Sequence, residues 1–308
     1  MSESRVHQAI DVLKNPAVAP AAAADRIVQL CEEQVRMSSP ARHPVTHGDT
    51  PGLEGFLWHF WTLMIHAVEE DERLHARVLD ILAHLKARES PAGWRIWGVS
   101  VKVWSSLSLF GPVVREEFNG PRPYVDNKAI HEWSRSEADL LAALHASPSA
   151  DDRAQAIVAA GRRYLALHHF LASAWALDLF PSGELYALWA MRPALEYAAD
   201  SPQYERVPRA LEVEAAAAWV AHAAGRMYAC KEIFGPQGHE GWPATKGAPG
   251  RGGEKWDGVD GYDPKRWQLW KAGFEEVVRD KGEQQHVKRA AEVALVAMER
   301  AEQEADGN

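Results

Sequence analysis

Apolar residues recur at intervals of three and four positions along most of the chain, and this spacing constrains the possible folds more than any other feature of the sequence. Over residues 53–68 the apolar side chains fall on one face, while His59 and His66 share the opposite face. This period is that of an amphipathic α-helix. Runs of alternating apolar and polar residues bounded by turn residues, which would indicate strands, are not evident. The sequence therefore predicts an all-α protein.

The same periodicity predicts about ten helices. Asp263 followed by Pro264 is a typical helix start, because a side-chain oxygen can accept a first-turn amide and proline needs no N–H there. The predicted helices cover about residues 20–37, 53–68, 71–87, 94–110, 127–146, 151–179, 183–199, 207–234, 263–281 and 284–304.

Two regions interrupt this pattern. Residues 1–50 are Ala-rich and then Pro/His/Ser-rich, which predicts an amino-terminal arm packed on a single helical domain of residues 51–305. Nine glycines and three prolines fall within residues 235–261, which predicts a long flexible loop at 236–261. Such a loop is either a lid over a site or an untethered insertion, and we favour the insertion.

Charge and cysteine content limit the class of protein. The 308 residues carry 34 Lys and Arg against 43 Asp and Glu, a net charge of -9, which disfavours a nucleic-acid binder. Cys31 and Cys230 are too few for a disulfide framework or a four-thiolate zinc site. They fit a reducing compartment, and the chain shows no secretory signal, so we expect a cytoplasmic protein.

One apolar stretch, residues 96–114, approaches the length of about 20 residues that spans a bilayer. It contains four serines, two glycines and the charged Lys102. Pro112 near its end stops or kinks a helix. We therefore expect a buried core helix here and no association with a membrane.

The 13 tryptophans fall at helical spacings. Trp94, Trp97 and Trp104, for example, are three and seven residues apart and would share one helical face. Such rings either line a ligand pocket or fill the gaps between crossing helices, and we favour the second interpretation.

The 14 histidines raise the question of a metal site. The chain has no HExxH motif, and His59 and His66 are two turns apart, about 10 Å along a helix. The adjacent His168 and His169 diverge by about 100° on a helix. We therefore predict no metal and no cofactor, although ligands brought together from different helices remain an alternative.

The segment 215–229, AAAAWVAHAAGRMYA, is apolar on nearly all sides and predicts a central buried helix. Its exceptions are His222 and Arg226, one turn apart on the face that carries Trp219. A buried guanidinium requires a partner, because desolvation of an unpaired charge costs several kcal/mol. The candidate partners are Glu196, Glu214 and Glu116.

The alternative is that His222 and Arg226 line a pocket for a small anionic or polar ligand, with Trp219 as one wall. We favour the ion pair. Arg192 and Glu196 are spaced i, i+4 and are expected to pair on their own helix. The candidate ligand-binding residues are thus Arg192, Glu196, Trp219, His222 and Arg226.

Five segments of the chain are informative as an ordered set: LWHFW (57–61), SLFGPVVREEFNGP (108–121), ALWAMRPALE (187–196), AAWVAHAAGRMY (217–228) and RWQLWKAGF (266–274). In their order and sequence they resemble a fungal family of unknown function that is named after protein G of the oxopyrrolidine biosynthesis cluster. The resemblance covers roughly residues 52–300. It implies a helical fold and a fungal origin, with some members encoded near secondary-metabolite genes, and it transfers no catalytic residue.

These observations predict a non-catalytic module that binds a small molecule or a protein, and the resemblance implies an association with fungal secondary metabolism. The alternative is a biosynthetic enzyme with a site around Arg226, His222 and Glu196. A pocket in which these three side chains converge would favour the enzyme, and a closed core in which Arg226 is paired would favour the module.

Overall fold

The computed structural model describes residues 2–39, 48–121, 124–125, 128–129, 152–198, 201–202 and 207–307. The chain divides into two compact units, Met1–Asn119 and Gly120–Asn308. The described residues form ten α-helices and two hairpins of two-residue strands, so the predicted all-α class is confirmed. The expected arm of residues 1–50 and helical domain of residues 51–305 stay a prediction.

The first unit contains five helices around an aromatic core. They are α1 (Ser2–Lys14), α2 (Pro20–Met37), α3 (Leu53–Glu70), α4 (His75–Lys86) and α5 (Phe110–Glu117), with the antiparallel strands β1 (Arg95–Ile96) and β2 (Val99–Ser100) before α5. Helices α1 and α2 pack on each other and on α3, and α2 also packs on α4. In the core, the ring of Trp61 contacts those of Phe60 and Phe110, and its indole N–H donates to the Ser108 carbonyl at 2.8 Å.

The second unit is arranged around one central helix. Its elements are β3 (Tyr124–Val125), β4 (Lys128–Ala129), α6 (Asp152–Ala176), α7 (Gly183–Leu195), α8 (Arg209–Ala229), α9 (Pro264–Arg279) and α10 (Gln285–Asp306). Helix α8 contacts α6, α7, α9 and α10. Its run of alanines at 215–218 is buried, and these small side chains let the neighbouring helices approach closely. The helix kinks at Ala223, where φ is -133° and ψ is 20°.

The prediction of a helix over residues 94–110 is wrong. This stretch forms the β1–β2 hairpin and a series of turns, and a helix begins only at Phe110. Trp97 and Gly98 form the hairpin turn with positive φ values of 53° and 75°, a conformation that a helix cannot contain. The carboxylate of Asp49 fixes this turn by accepting the N–H of Trp97 at 2.9 Å and that of Gly98 at 2.7 Å.

Other expected helices match the structure more closely, with some differences at their ends. Helix α1 lies in the predicted arm and was not expected from the sequence. The helix predicted at 127–146 lies outside the described residues, except for Lys128 and Ala129 in β4. The long irregular segment between α8 and α9 is present, with a single short 3-10 turn at Ala244–Lys246.

Candidate functional site

A fully buried ion pair joins the carboxyl end of α7 to the first turn of α9. The guanidinium of Arg266 donates from Nε to Glu196 Oε1 at 2.8 Å and from Nη2 to Glu196 Oε2 at 3.0 Å. Both side chains are 0% exposed. Two parallel charge-assisted bonds of this kind form the strongest arrangement available to an Arg–carboxylate pair.

Further groups surround the two charges. The indole N–H of Trp270 donates to Glu196 Oε1 at 2.7 Å, and the backbone N–H of Gly253 donates to Oε2 at 2.7 Å. Arg266 Nη1 donates to the carbonyls of Gly250 and Gly261, both at 2.9 Å. Both carboxylate oxygens and three nitrogens of the guanidinium are therefore hydrogen-bonded, which is the condition for burying such a pair without a large penalty.

The glycine-rich segment is attached to this ion pair and to α7. Trp189 Nε1 donates to the Pro249 carbonyl at 2.9 Å, and Arg192 Nη1 donates to the Arg251 carbonyl at the same distance. The pairing of Arg192 with Glu196 that the sequence predicted is therefore wrong, because Arg192 binds loop carbonyls and Glu196 binds Arg266.

Close contact explains two of the glycines in this segment. A Cβ on Gly253 would lie 2.7 Å from the Glu196 carbonyl oxygen, and one on Gly250 would lie 2.3 Å from that of Asp260. Backbone atoms cannot move aside as a flexible side chain does, so only glycine fits at these positions. The flexibility predicted for residues 236–261 stays a prediction, but the part of the segment near Glu196 is held by hydrogen bonds.

A second group of polar residues lies where α6 packs against α8. His168 and Trp219 are both 0% exposed, and the indole N–H of Trp219 donates to His168 Nδ1 at 2.9 Å. Because Nδ1 accepts, the neutral ring carries its proton on Nε2. Burial, followed by the charge of His169, lowers the pKa of His168 to about 3. The buried imidazole is therefore neutral at physiological pH.

At the surface of the same interface, His169 on α6 meets His222 on α8. His169 Nδ1 lies 3.0 Å from His222 Nε2, and the two ring planes are 87° apart. Four residues further along α8, Arg226 donates to the Trp175 carbonyl, lies 5.4 Å from the Trp175 ring and is 3.6 Å from an Asp178 oxygen.

The prediction that Arg226 is half of a buried ion pair is wrong. Its side chain is 40% exposed and that of Asp178 is 70% exposed. In this part of α8 only one side of the helix is turned to solvent. Ala223 and Met227 are buried, whereas His222, Gly225 and Arg226 are exposed. Arg226 lies on this open side, which the alanine-rich sequence concealed.

Two carboxyl groups lie near the amino end of α8, one buried (Glu212) and one partly buried (Glu214). Tyr164 donates from its hydroxyl to Glu212 Oε2 at 3.1 Å, and burial raises the pKa of Glu212 to about 7. Burial, together with the negative charge of Glu283, raises the pKa of Glu214 to about 7 as well. Both groups thus change protonation near neutral pH.

The five candidate residues therefore fall into two groups. Arg192 and Glu196 belong to the network around the glycine-rich segment, and Trp219, His222 and Arg226 belong to the α6–α8 interface. Trp219 does not form a wall of an exposed site, since it is buried against His168.

Sequence reasoning missed three contributors: Arg266, His169 and Gly253. A usable signal existed for Arg266, because it shares the buried face of α9 with Trp270 and Phe274, at spacings of four and eight residues. No sequence signal paired His169 with His222, because the contact depends on how two distant helices pack.

Two further observations concern metal and membrane binding. Across the parts of the chain that the structure describes, no three His, Cys, Asp or Glu side chains form a cluster suited to a metal ion. Among the described helices, none has the length and apolar character required to cross a bilayer.

Fold and site together define a helical protein with a closed, self-paired ionic core and a polar surface between α6 and α8. Comparison with known families shows that residues 61–274 match the model of a family described as protein of unknown function, DUF3632. The match covers more than half of the chain, and the protein belongs to this family. No curated protein and no solved structure matches the chain.

Proposed function

We propose that the protein is a non-catalytic binding module that recognises a small anionic ligand at His169, His222 and Arg226. We call these three residues the histidine–arginine face. The observation that carries the proposal is that His169 and His222 are in contact at the surface of two packed helices, and that the partly exposed guanidinium of Arg226 follows four residues after His222 on α8. Such groups donate hydrogen bonds to carboxylates and phosphates.

The contacts of Arg226 suit a binding role. The Trp175 carbonyl and ring orient the guanidinium, while its ion pair with Asp178 is open to water. An exposed ion pair contributes about 0–1 kcal/mol, so a ligand carboxylate can replace Asp178 at little cost. A guanidinium offers two parallel donors to a carboxylate or a phosphate, which favours such anions over neutral ligands.

The surroundings of Glu196 support binding rather than catalysis. The alternative enzyme required Glu196 to act together with His222 and Arg226. Both oxygens of Glu196 accept hydrogen bonds from Arg266 and its neighbours, inside the core. A carboxylate held in this way serves the packing of α7 against α9 and is poorly suited to accept a proton from a ligand at the surface.

The biological setting is also a proposal. The resemblance to the fungal family named after the oxopyrrolidine cluster supports a fungal origin and a role beside secondary-metabolite genes. Two free thiols, Cys31 and Cys230, support a reducing, cytoplasmic location. The ligand in that setting would be a small acidic metabolite, with an acidic segment of a partner protein as the alternative.

The test is a titration of the full chain with succinate and with inorganic phosphate, followed by NMR of the histidine ring protons. The variants His169→Asn and His222→Asn assign the ring signals, because each removes one of them. We expect the ligand to shift these two signals, and we expect Arg226→Gln to bind the ligand at least tenfold more weakly. Arg279→Gln is the matched control, because Arg279 is an exposed arginine paired with Glu275 on its own helix. Equal binding by Arg226→Gln and wild type would refute the proposal.

A further inference from the structure

We infer that His169 and His222 form a binding site for a divalent transition-metal ion of the zinc type on the surface between α6 and α8. This inference does not rest on the proposed anion binding, because it requires only the two imidazole rings. Neutral imidazole is a preferred ligand of Zn²⁺, Cu²⁺ and Ni²⁺.

The distance between the two ring nitrogens is close to that of a metal site. Zn–N bonds of about 2.0–2.1 Å at a tetrahedral angle place two ligand nitrogens about 3.3 Å apart. His169 Nδ1 and His222 Nε2 are 3.0 Å apart, so the two nitrogens must move apart by about 0.3 Å, and the rings must turn until both nitrogens point at the ion. His222 is exposed, so an ion can reach the pair from solvent.

Binding requires a simple change of protonation. In the hydrogen bond between the rings, one nitrogen carries the proton and the other accepts it. A metal ion needs both of these nitrogens without a proton. The proton therefore moves through water to the other nitrogen of the same ring, and a ring that was positively charged releases one proton to solvent.

A buried contact keeps the two rings in position. His168 precedes His169 on α6, and Trp219 lies one turn before His222 on α8. The bond from Trp219 Nε1 to His168 Nδ1, at 2.9 Å between two side chains that are 0% exposed, fixes the register of the two helices. A site on rigid elements, supported by a packed contact directly beneath it, loses little entropy when the ion binds.

The two histidines leave coordination positions for other ligands. Since no cluster of three protein ligands occurs in the described residues, water or a ligand from solution would complete the shell. This arrangement corresponds to an open site and not to a structural one. Removal of the metal should therefore leave the helical core intact, unlike in small domains that fold around an ion.

The test is isothermal titration of the metal-free full chain with Zn²⁺ at pH 7.5. We expect wild type to bind one more zinc ion per chain than His222→Asn, or to bind that ion at least tenfold more tightly, and His169→Asn to match His222→Asn. His239→Asn is the matched control, because His239 is an exposed histidine whose ring contacts a backbone carbonyl. Far-UV circular dichroism should be unchanged by zinc or by a chelator.

Two results separate this inference from the anion proposal. Arg226→Gln should bind zinc as wild type does, even though it should lose affinity for succinate. Zinc binding should weaken as the pH is lowered, because protons compete with the metal ion for the ring nitrogens. The inference is overturned if His222→Asn binds zinc with the affinity and stoichiometry of wild type. His222 is exposed, so its replacement should not prevent folding.

Discussion

Replacing Arg266 with methionine should destabilise the protein strongly, whereas the same replacement at Arg226 should not. Arg266→Met leaves Glu196 buried without its counter-ion, and breaking a buried pair from one side costs about 3–5 kcal/mol. Gly250 and Gly261 also lose the donor to their carbonyls, at about 1–3 kcal/mol for each buried group. These costs overlap, because the site can relax once the guanidinium is gone.

We therefore expect a loss of about 4–6 kcal/mol, a large part of the 5–15 kcal/mol by which a domain is usually stable. The exposed pair of Arg226 with Asp178 should contribute less than about 1 kcal/mol. Urea unfolding followed by far-UV circular dichroism gives both values. Arg226→Met controls for the general effect of exchanging an arginine for a methionine on this fold.

The double variant Glu196→Gln/Arg266→Met tests the cause of the loss. It removes the stranded charge but not the unpaired carbonyls, so it should recover part of the stability. A loss of stability below about 1.5 kcal/mol in Arg266→Met, or one equal to that in Arg226→Met, would show that the Glu196–Arg266 pair does not stabilise the fold as we describe.

Three further predictions concern the glycine-rich segment and the buried histidine. Gly253→Ala should lower the free energy of unfolding in urea by about 1–3 kcal/mol, because its Cβ meets backbone atoms. Gly225→Ala has open space around its Cβ and should be neutral or stabilising by up to about 1 kcal/mol. Equal effects of the two substitutions would contradict this reasoning. Trypsin should cut after Lys246 before it cuts after Lys255, because the N–H of Lys255 donates to the Glu196 carbonyl. Mass spectrometry of the first fragments would show the order of cleavage. The reverse order would count against the attachment of this segment to Glu196. His168→Asn keeps an acceptor for Trp219 but removes a group whose pKa is about 3 when folded and near 6.5 when unfolded. The unfolded wild type therefore gains a proton that the folded wild type does not. Between pH 7 and pH 5 the free energy of unfolding of wild type should fall by about 2 kcal/mol relative to that of the variant. A stability difference that does not change with pH would refute the assignment of His168 as a buried neutral imidazole.

Helical periodicity could be predicted because it records which side of a local element is buried. Helices α3, α9 and α10 follow their apolar stripes closely. The hairpin at β1–β2 could not be predicted in the same way. Its turn depends on Asp49, which is 48 residues from Trp97 in the sequence, and the helical spacing of the tryptophans there is coincidental.

The sequence predicted a buried ion pair for Arg226, with Glu196 as one of three candidate partners, whereas the buried pair in the structure joins Glu196 to Arg266. Arg226 follows an alanine-rich run, and the sequence does not show which side of α8 remains open. Arg266 lies on the apolar stripe of its own helix, four residues before Trp270 and eight before Phe274, so its burial follows from periodicity. A charged residue on the apolar stripe of a helix is a better signal of a buried pair than a charged residue in an apolar run.

The glycine-rich segment shows a limit of composition as a guide. Many glycines are expected both in a mobile chain and in a chain that must pass close to other backbone. The sequence alone does not separate these cases, because the atoms that approach Gly250 and Gly253 belong to Asp260 and to Glu196, and the second of these lies in another element. Only the fold identifies close contact as the reason.

In the sequence, the divergence of His168 and His169 on their helix counted against a metal site. The same divergence underlies the zinc site that we propose. Adjacent helical residues point about 100° apart, so they cannot bind the same ion, but one can face the core while the other faces solvent. His168 fixes α6 against α8 through Trp219, and His169 meets His222 at the surface. A buried anchor beside an exposed ligand gives a surface site the rigidity of the core, which separates this pair from two histidines that merely share a surface.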